Sequence, residues 1–430
     1  EHTKLKEVLT SFLTSSDFGG FLNLLSGGAL SRLSIVLVGL SPFITASIIS
    51  QLMTRAIPKL EQLHQDGETG RRKINQWTRI MTVPLAVIQS IAFIYILRQS
   101  VLAGNTTVLS NTSIMEWIIA ITAMTAGSVL LMWIGELMTE QGVGNGISLL
   151  IFAGIVAQLP STLSTIGTSL FDVSKGSLSV FGWFNLPVNP TIFWITLALL
   201  TVSLFTLYIL VKINEAQRII IVNYAKRVQG NSAYSGIKSV LPVKLIVAGV
   251  IPVIFAVAFL SLPAFVGQVL KATENPSYRQ VADHLITWFQ APNPGNFTGD
   301  TAQAFIYPAI YFLLVILFTY FYTGIAFNSK EIAENLQKQG GFIEGVRPGG
   351  QTEEYLKRTV NRLQLFGSIV LGIIAIMPFA IEYLLYNFTG IQNANLAIGG
   401  TGLLIVVSVG LESLRQINSR ALMVTYDDYK

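Results

Sequence analysis

Few side chains in this 430-residue sequence have the types and spacing that catalysis or metal binding requires. The sequence contains no cysteine, which excludes disulfides and thiolate metal sites, and its histidines, His2, His64 and His284, lie far apart in predicted loops. It also lacks a G-x-x-x-x-G-K-[ST] loop, an H-E-x-x-H segment and a G-x-S-x-G segment. The residues therefore indicate no catalytic site, no metal site and no cofactor.

One glycine-rich segment, Gly142-Val-Gly-Asn-Gly-Ile, resembles a phosphate-binding loop only in its glycines. It follows an apolar helix, whereas a phosphate loop follows a strand, and it lacks the lysine that reaches the phosphates. We predict a tight turn between two helices, because glycine adopts positive φ without a steric cost.

The centres of the apolar segments carry isoleucine and not charge. The glutamates nearest to these segments lie close to the segment ends: Glu116, Glu136, Glu382 and Glu412. Charged groups inside a membrane are typical of ion-coupled carriers, so their absence from the centres argues against that class. The central residues that a pathway could use are apolar: Ile44, Ile147, Ile151, Ile254 and Ile405. Taken singly, each is explained by packing against lipid or core.

The composition indicates a membrane protein, with 51% hydrophobic and 12% charged residues against about 25% charged in soluble domains. A helix needs about 20 apolar residues to cross a bilayer. Nine segments meet this need: 33–54, 76–97, 114–138, 146–167, 190–211, 244–263, 305–327, 360–381 and 396–414. We predict an all-α, polytopic membrane helical bundle. No internal repeat is evident in the sequence.

Basic residues are concentrated in three stretches, 55–79, 212–244 and 328–362, and recur in the C-terminal tail. Because lysine and arginine accumulate on the cytoplasmic side, these stretches and the C-terminus are predicted to be cytoplasmic. Nine helices then place the N-terminus outside, and one more helix upstream of Glu1 would return it to the cytoplasm. The stretches are longer than bundle connections of 2–8 residues. Two explanations stay open: the basic residues only set the orientation of the helices in the membrane, or they also dock an acidic cytosolic partner.

Residues 14–31 combine a short apolar run with four glycines and are too short to cross a bilayer. Composition alone favours a helix that lies in the membrane interface. The alternative is a short mobile helix that enters the protein.

Several blocks, in order along nearly the whole chain, resemble the SecY family of protein-conducting channels. They are LSPFITASIISQLMTRAIPKLEQLHQDGETGRRKINQWTR (40–79), MWIGELMTEQGVGNGISLLIFAGIVAQLP (132–160), RIIIVNYAKRVQGNSAYSGIKSVLPVKLIVAGVIPVIFA (218–256), GFIEGVRPGGQTEEYLKRTVNRL (341–363) and GGTGLLIVVSVGLE (399–412). The nine segments match the second to tenth helices of that family.

The resemblance implies two inverted, pseudo-symmetric halves around a central pore. Residues 1–31 would be an external segment and plug, 32–168 the N-terminal half, and 169–430 the C-terminal half with cytoplasmic loops 212–244 and 328–359. The plug would include Phe18, Gly19, Gly20, Phe21, Leu22, Leu24 and Leu25. The apolar pore ring would comprise Leu40, Ile44, Ile147, Ile151, Ile254 and Ile405.

The resemblance also implies a lateral gate, at which helices 33–54 and 76–97 face helices 244–263 and 305–327. Thr45 and Gln89 match polar gate positions, and Pro42 and Pro252 are expected to let the gate helices bend. Two departures affect gating and docking: Ile219 follows Arg218 where an arginine pair is common, and Ala256-Val-Ala replaces a common serine pair.

The implied function is the translocation of unfolded secretory polypeptides across the bacterial plasma membrane and the lateral release of signal peptides into lipid. The implied partners are SecE, SecG, the SecA motor, the ribosome and nascent polypeptides, with no specific nucleic-acid recognition. Docking of the motor or ribosome is expected at Arg218, Lys226, Arg227 and Arg347, the last presented on a Pro-Gly-Gly turn. The alternatives are an accessory SecY paralogue, a small-solute secondary transporter, which would need buried charges and a polar midplane site, and an intramembrane enzyme.

Overall fold

The computed structural model describes most of the chain as helix. It describes residues 34–65, 67–103, 113–142, 144–171, 178–180, 184–186, 188–224, 228–229, 232–233, 238–271, 276–289, 301–389 and 400–427. The predicted external segment and plug, 1–31, and the basic residues Lys226 and Arg227 lie outside these residues.

The first half of the described chain contains helices only. They are α1 (Ser41–Ala56), α2 (Pro58–Gln65), α3 (Glu68–Ala103), α4 (Ile114–Glu140) and α5 (Gly146–Leu170).

The second half adds short strands to the helices. After the hairpin of β1 (Leu178–Val180) and β2 (Phe184–Leu186), its elements are α6 (Pro190–Glu215), β3 (Gln217–Tyr224), β4 (Val228–Gln229), β5 (Ser232–Ala233), β6 (Lys238–Lys244), α7 (Ile251–Lys271), α8 (Pro276–Phe289), α9 (Thr301–Ala326), α10 (Ser329–Lys338), β7 (Gly341–Ile343), α11 (Gly350–Thr389) and α12 (Gly400–Asp427).

The structure confirms a polytopic helical membrane fold. Within the described residues, seven helices are long and apolar enough to cross a bilayer, and they correspond to seven of the nine predicted segments. The two others are α1, which has only 16 residues, and α12. Large apolar side chains on the outside of the bundle, among them Trp133, Leu204 and Leu313, are about 60% exposed, as expected of a surface that faces lipid.

Two predicted boundaries were wrong at the helix starts. The segment predicted from residue 33 forms turns over 35–40, and its helix begins only at Ser41. The segment predicted from residue 244 begins as the end of strand β6, and its helix starts at Ile251. In both cases the hydrophobic run continues through non-helical backbone, because hydropathy measures apolarity and not conformation.

The helices close into a ring. Around it, α4 packs on α5, α5 on α12, α12 on α11, α11 on α9, α9 on α7, and α7 on α1 and α3, with α3 returning to α4. The first half contacts the second along two seams. The front seam is formed by α1 and α3 against α7, and the back seam by α5 against α6 and α12.

A three-stranded antiparallel sheet covers the end of the bundle at which α1, α4, α6 and α9 end, and this basic end carries the basic stretches. Strand β3 lies between β6 and β7, with Ile220 opposite Leu241 and Val222 opposite Ile343. One sheet face packs on α10 and α11 in a separate apolar core that includes Leu356. The described residues of the basic stretches are therefore parts of folded elements, which composition alone did not indicate.

The starts of α1 and α7 repeat one pattern, Gly-x-x-Pro-x-Ile. Gly39 and Gly249 have φ of 60° and 61°, and a proline follows three residues after each. Five residues after each glycine comes an isoleucine, Ile44 or Ile254, and both side chains are buried in the same core. Helix α1 runs toward the basic end and α7 away from it, so the repeat is inverted. This short repeat was missed in the sequence because only six positions carry it.

Candidate functional site

A cavity of about 1060 Å³ enters the bundle between the two halves. Residues of α3, α4 and α12 surround it toward the basic end, including Arg72, Glu140 and Gln416. Its inner wall is apolar and includes Ile44, Ile151 and Ile254. The cavity therefore changes from polar to apolar as it approaches the centre of the bundle.

The structure brings the six residues of the predicted pore ring into one apolar cluster. Five of them are at most 8% exposed, and Ile147 packs against them while partly buried. These side chains come from four helices and one helix start: Leu40, Ile44, Ile147, Ile151, Ile254 and Ile405. An apolar constriction between a wet cavity and the far side of a membrane excludes water and ions by dewetting.

The α4–α5 turn places Ile147 and Ile151 at this cluster. Gly142 and Gly144 have φ of 69° and 136°, as predicted for a tight turn. A Cβ on Gly146 would lie 1.8 Å from the carbonyl oxygen of Gly135, so only glycine allows the two helices to approach this closely. The side chain of Asn145 then caps α5 by accepting hydrogen bonds from its first turn.

Charges around the cavity lie near its entrance and are partly paired. Nε of Arg79 on α3 donates a hydrogen bond to a carboxylate oxygen of Glu136 on α4. Glu140 and Glu412 line the same cavity. Glu136 of α4 and Glu412 of α12, which the sequence placed near span ends, therefore both line the cavity.

The front seam contains polar groups around a small gap. Gln89 of α3, Ser41 of α1 and Ser261 of α7 line the gap, together with Phe93 and Phe265. Gln89 thus lies at the predicted gate, whereas the buried Thr45 hydroxyl donates to the Ser41 carbonyl of its own helix, 3.0 Å away. Sequence reasoning missed Ser41, the first residue of α1, and Ser261, which lies inside α7.

The expected bending at Pro42 and Pro252 is corrected by the structure. Both prolines lie in the first turn of their helices, where the missing N–H has no partner to lose, so they start the helices and do not bend them. The prolines inside the helices at the front are different ones: Pro84 in α3, Pro263 in α7 and Pro308 in α9. An interior proline removes a hydrogen bond of the helix and permits a kink.

The predicted docking residues within the described chain are exposed at the basic end. Arg218 lies in β3, directly after α6. Arg347 lies in a turn between β7 and α11 where Gly345 and Gly349 have φ of 80° and 97°. Its carbonyl accepts a hydrogen bond of 2.9 Å from the Thr352 hydroxyl, which fixes the turn and leaves the guanidinium exposed.

Comparison with known sequences gives one family. The family model described as SecY matches residues 34–414. The protein translocase subunit SecY of Streptomyces galbus is 38% identical over 95% of this chain and 86% of its own length. The protein of the same name from Corynebacterium glutamicum is 40% identical over 94% of this chain and 86% of its own length.

Comparison with solved structures gives the same fold at lower identity. A structure described as a protein conducting channel has a TM-score of 0.61, with 20% identity, over 89% of this chain and 82% of that chain. Sec61 in the canine ribosome–channel complex has a TM-score of 0.55, with 18% identity, over 89% of this chain and 81% of that chain. From its sequence over most of its length and from its fold, the chain belongs to the SecY family.

Proposed function

We infer that this chain forms the channel of a protein translocase, through which unfolded secretory polypeptides cross the membrane. One observation carries the inference most directly. A ring of helices encloses a cavity that is polar toward the basic end and is sealed at the centre by an apolar cluster drawn from both halves. Family membership gives the cargo, because the relatives are protein translocase subunits.

The apolar cluster suits a cargo of varied sequence. Isoleucine side chains offer no hydrogen bonds that would favour one polypeptide over another, and they deform as bulky residues pass. When no polypeptide occupies the pore, an apolar constriction resists wetting and so limits the leak of ions. The plug, proposed at Phe18, Gly19, Gly20, Phe21, Leu22, Leu24 and Leu25, would add a second barrier.

Lateral release is proposed at the front seam. A signal peptide is an apolar helix, and separation of α1 and α3 from α7 would give it access to lipid while the following chain enters the pore. The polar groups of Gln89, Ser41 and Ser261 weaken the apolar contact between the halves there. The covalent connection between the halves, from α5 to α6, lies at the back seam, so the front is the side that is free to open.

Partners are proposed at the basic end, which we place in the cytoplasm of a bacterium together with the C-terminus. Arg218, Lys226, Arg227 and Arg347 would bind SecA or the ribosome. The outer face of the sheet exposes Ile219, Ile221 and Val240, each more than 50% exposed, which suits an apolar segment of SecE or SecG. SecE would also hold the two halves together.

The test is translocation of a secretory precursor into vesicles that contain the purified complex and SecA. We expect protease-protected precursor, and its absence with a folded complex would contradict the proposed function. Arg347→Glu should slow translocation strongly while leaving the thermal stability unchanged. Arg358→Glu is the matched control, because Arg358 is also exposed but pairs with Glu354 on the surface of α11. Equal rates in the two variants would contradict docking at Arg347.

A further inference from the structure

Arg55 forms a bond between the two halves at the basic end of the front seam. It lies in the last turn of α1, and its Nη2 donates a hydrogen bond of 2.6 Å to the carbonyl oxygen of Gly324 in α9. Helices α1 and α9 otherwise barely touch, since the front seam is formed mainly through α7. We propose that Arg55 is a specificity-determining residue that holds the front seam closed and so sets how hydrophobic a signal peptide must be to open it.

The acceptor is suited to a cation. Gly324 lies in the last turn of α9, which ends at Ala326, and the last carbonyls of a helix have no partner within it. These carbonyls also carry the negative end of the helix dipole, which attracts a guanidinium. Because glycine has no side chain, the guanidinium can approach: a Cβ at position 324 would lie 3.2 Å from Nη2 of Arg55.

A second contact orients the guanidinium without competing for the same nitrogen. Nη1 of Arg55 lies 3.5 Å from Oε1 of Glu61 on α2, and both side chains are about 40% exposed. An ion pair this exposed adds little stability by itself. Its geometry points Nη2 away from Glu61 and across the seam.

The contact has a direct consequence if the front seam opens as proposed, and the inference rests on that proposed function. Separation of α1 from α9 must break the Arg55–Gly324 hydrogen bond. A signal peptide has to compensate for this loss through its own contacts with lipid and with the gate helices. Strongly apolar signals do so easily, and weakly apolar signals do not. Removing the bond should therefore benefit weak signals selectively.

The experiment measures translocation of precursors whose signal peptides carry a graded number of leucines. In Arg55→Ala, the rate with the weakest signal should rise about three- to tenfold, the factor expected for one net hydrogen bond, while the rate with the strongest signal stays unchanged. Arg55→Lys keeps the positive charge and a donor group. Its rate with the weakest signal should therefore lie between those of wild type and Arg55→Ala.

Arg415→Ala is the matched control. Nη2 of Arg415 also donates to a carbonyl in the last turn of a helix, that of Asn214 in α6, at 3.2 Å, but both residues lie in the second half. Its loss should leave the ratio of weak-signal to strong-signal rates unchanged. An unchanged ratio in Arg55→Ala, or an equal rise in Arg415→Ala, would overturn the proposal. If wild type moved no precursor, the proposed function itself would fail.

A second measurement needs no cargo. Because the chain has no cysteine, a single Gln89→Cys substitution gives one thiol at the front seam. Its rate of reaction with a membrane-permeant maleimide reports opening of the seam. The rate should increase when Arg55→Ala is added and should not change when Arg415→Ala is added. Equal labelling rates in all three proteins would contradict a role of Arg55 in closing the seam.

Discussion

The two seams between the halves are built differently. At the front, α1 and α3 meet α7 around a small gap lined by Gln89, Ser41 and Ser261, and one exposed arginine reaches across at the basic end. At the back, α5 and the turn before it pack on α12 with room for no more than a Cβ in ordinary contact: a Cβ on Gly402 would lie 3.5 Å from Ile155, and one on Gly144 would lie 3.4 Å from the Ser413 hydroxyl. The chain also connects the halves there.

The difference fits the proposed function, in which the front seam opens and the back seam acts as the hinge. A close-packed seam is costly to separate, because every void forfeits contacts. A seam with a polar gap and few contacts costs less. The central cluster belongs to both seams, since Ile44 and Ile254 come from the front helices and Ile151 and Ile405 from the back helices.

The largest effect is expected from a polar side chain in the central cluster. Ile254→Asn and Ile405→Asn should each increase the resting ion conductance of the purified complex in planar bilayers, because an amide lowers the cost of wetting an apolar constriction. Each should also lower the free energy of unfolding by about 1–3 kcal/mol through an unpaired buried amide.

These two variants compare the front with the back. If the front opens, Ile254→Asn should also allow export of precursors with defective signals, and Ile405→Asn should do so less. Ile374→Asn, in α11 of the same core but outside the predicted ring, is the control and should cost stability without a leak. If Ile254→Asn folds and its resting ion conductance equals that of wild type, the assignment of Ile254 to the ring is wrong.

A large side chain at the back seam should destabilise the protein. Gly402→Leu inserts volume where α12 meets Ile155 and should lower the free energy of unfolding by about 1–3 kcal/mol. Gly402→Ala is the control, because a single Cβ makes only ordinary contact there. Thermal unfolding in detergent measures both, and equal melting temperatures for the two variants would contradict close packing of the back seam.

A smaller effect is expected at the start of α7. Gly249→Ala should lower the free energy of unfolding by about 1–2 kcal/mol, because Gly249 has φ of 61°, which a Cβ disfavours. Nothing lies within 4 Å of the added atom, so the cost is conformational and not steric. Gly167→Ala in α5 has the same free space without the unusual φ and should cost nothing. Equal stability of the two variants would refute the argument.

How much of this could be read from the sequence depends on the range of the interaction. Local hydropathy predicted that the centres of the spans are apolar, and local charge predicted the basic stretches. Only the resemblance to the SecY family placed the central isoleucines in one ring. The delayed starts of α1 and α7 were not, since an apolar run hides a turn. The bond from Arg55 to Gly324 has no sequence signal, because its acceptor is a backbone carbonyl 269 residues away. The sheet was missed for a similar reason, as its strands come from two separate stretches.

The smallest expected effect is a pH dependence of stability caused by His64, which lies at the basic end of the front seam. Partial burial, followed by repulsion from Arg71 and Arg55, lowers the pKa of His64 below its ordinary value. The unfolded chain therefore binds more protons, and the free energy of unfolding should decrease as the pH falls from about 6.5 toward the folded-state pKa.

Arg71→Ala should raise the pKa of His64 toward its ordinary value, and Arg55→Ala should raise it less. Proton NMR measures both shifts, with His64→Gln to assign the signal among the three histidines. A pKa that is the same in wild type and both variants would show that neither guanidinium is close enough to His64 in solution to affect it.

The inverted starts of α1 and α7 have an electrostatic consequence. Each helix begins beside the central cluster, with Leu40 and Val250 buried at the two starts, and the helices leave it in opposite directions. The positive ends of both helix dipoles therefore lie beside the central cluster. Half-helices arranged in this way raise the electrical potential at the narrowest point of a pore and repel cations. Protons and metal cations would then meet a barrier of charge in addition to the apolar one, so the membrane potential would be protected even while the constriction is briefly wet.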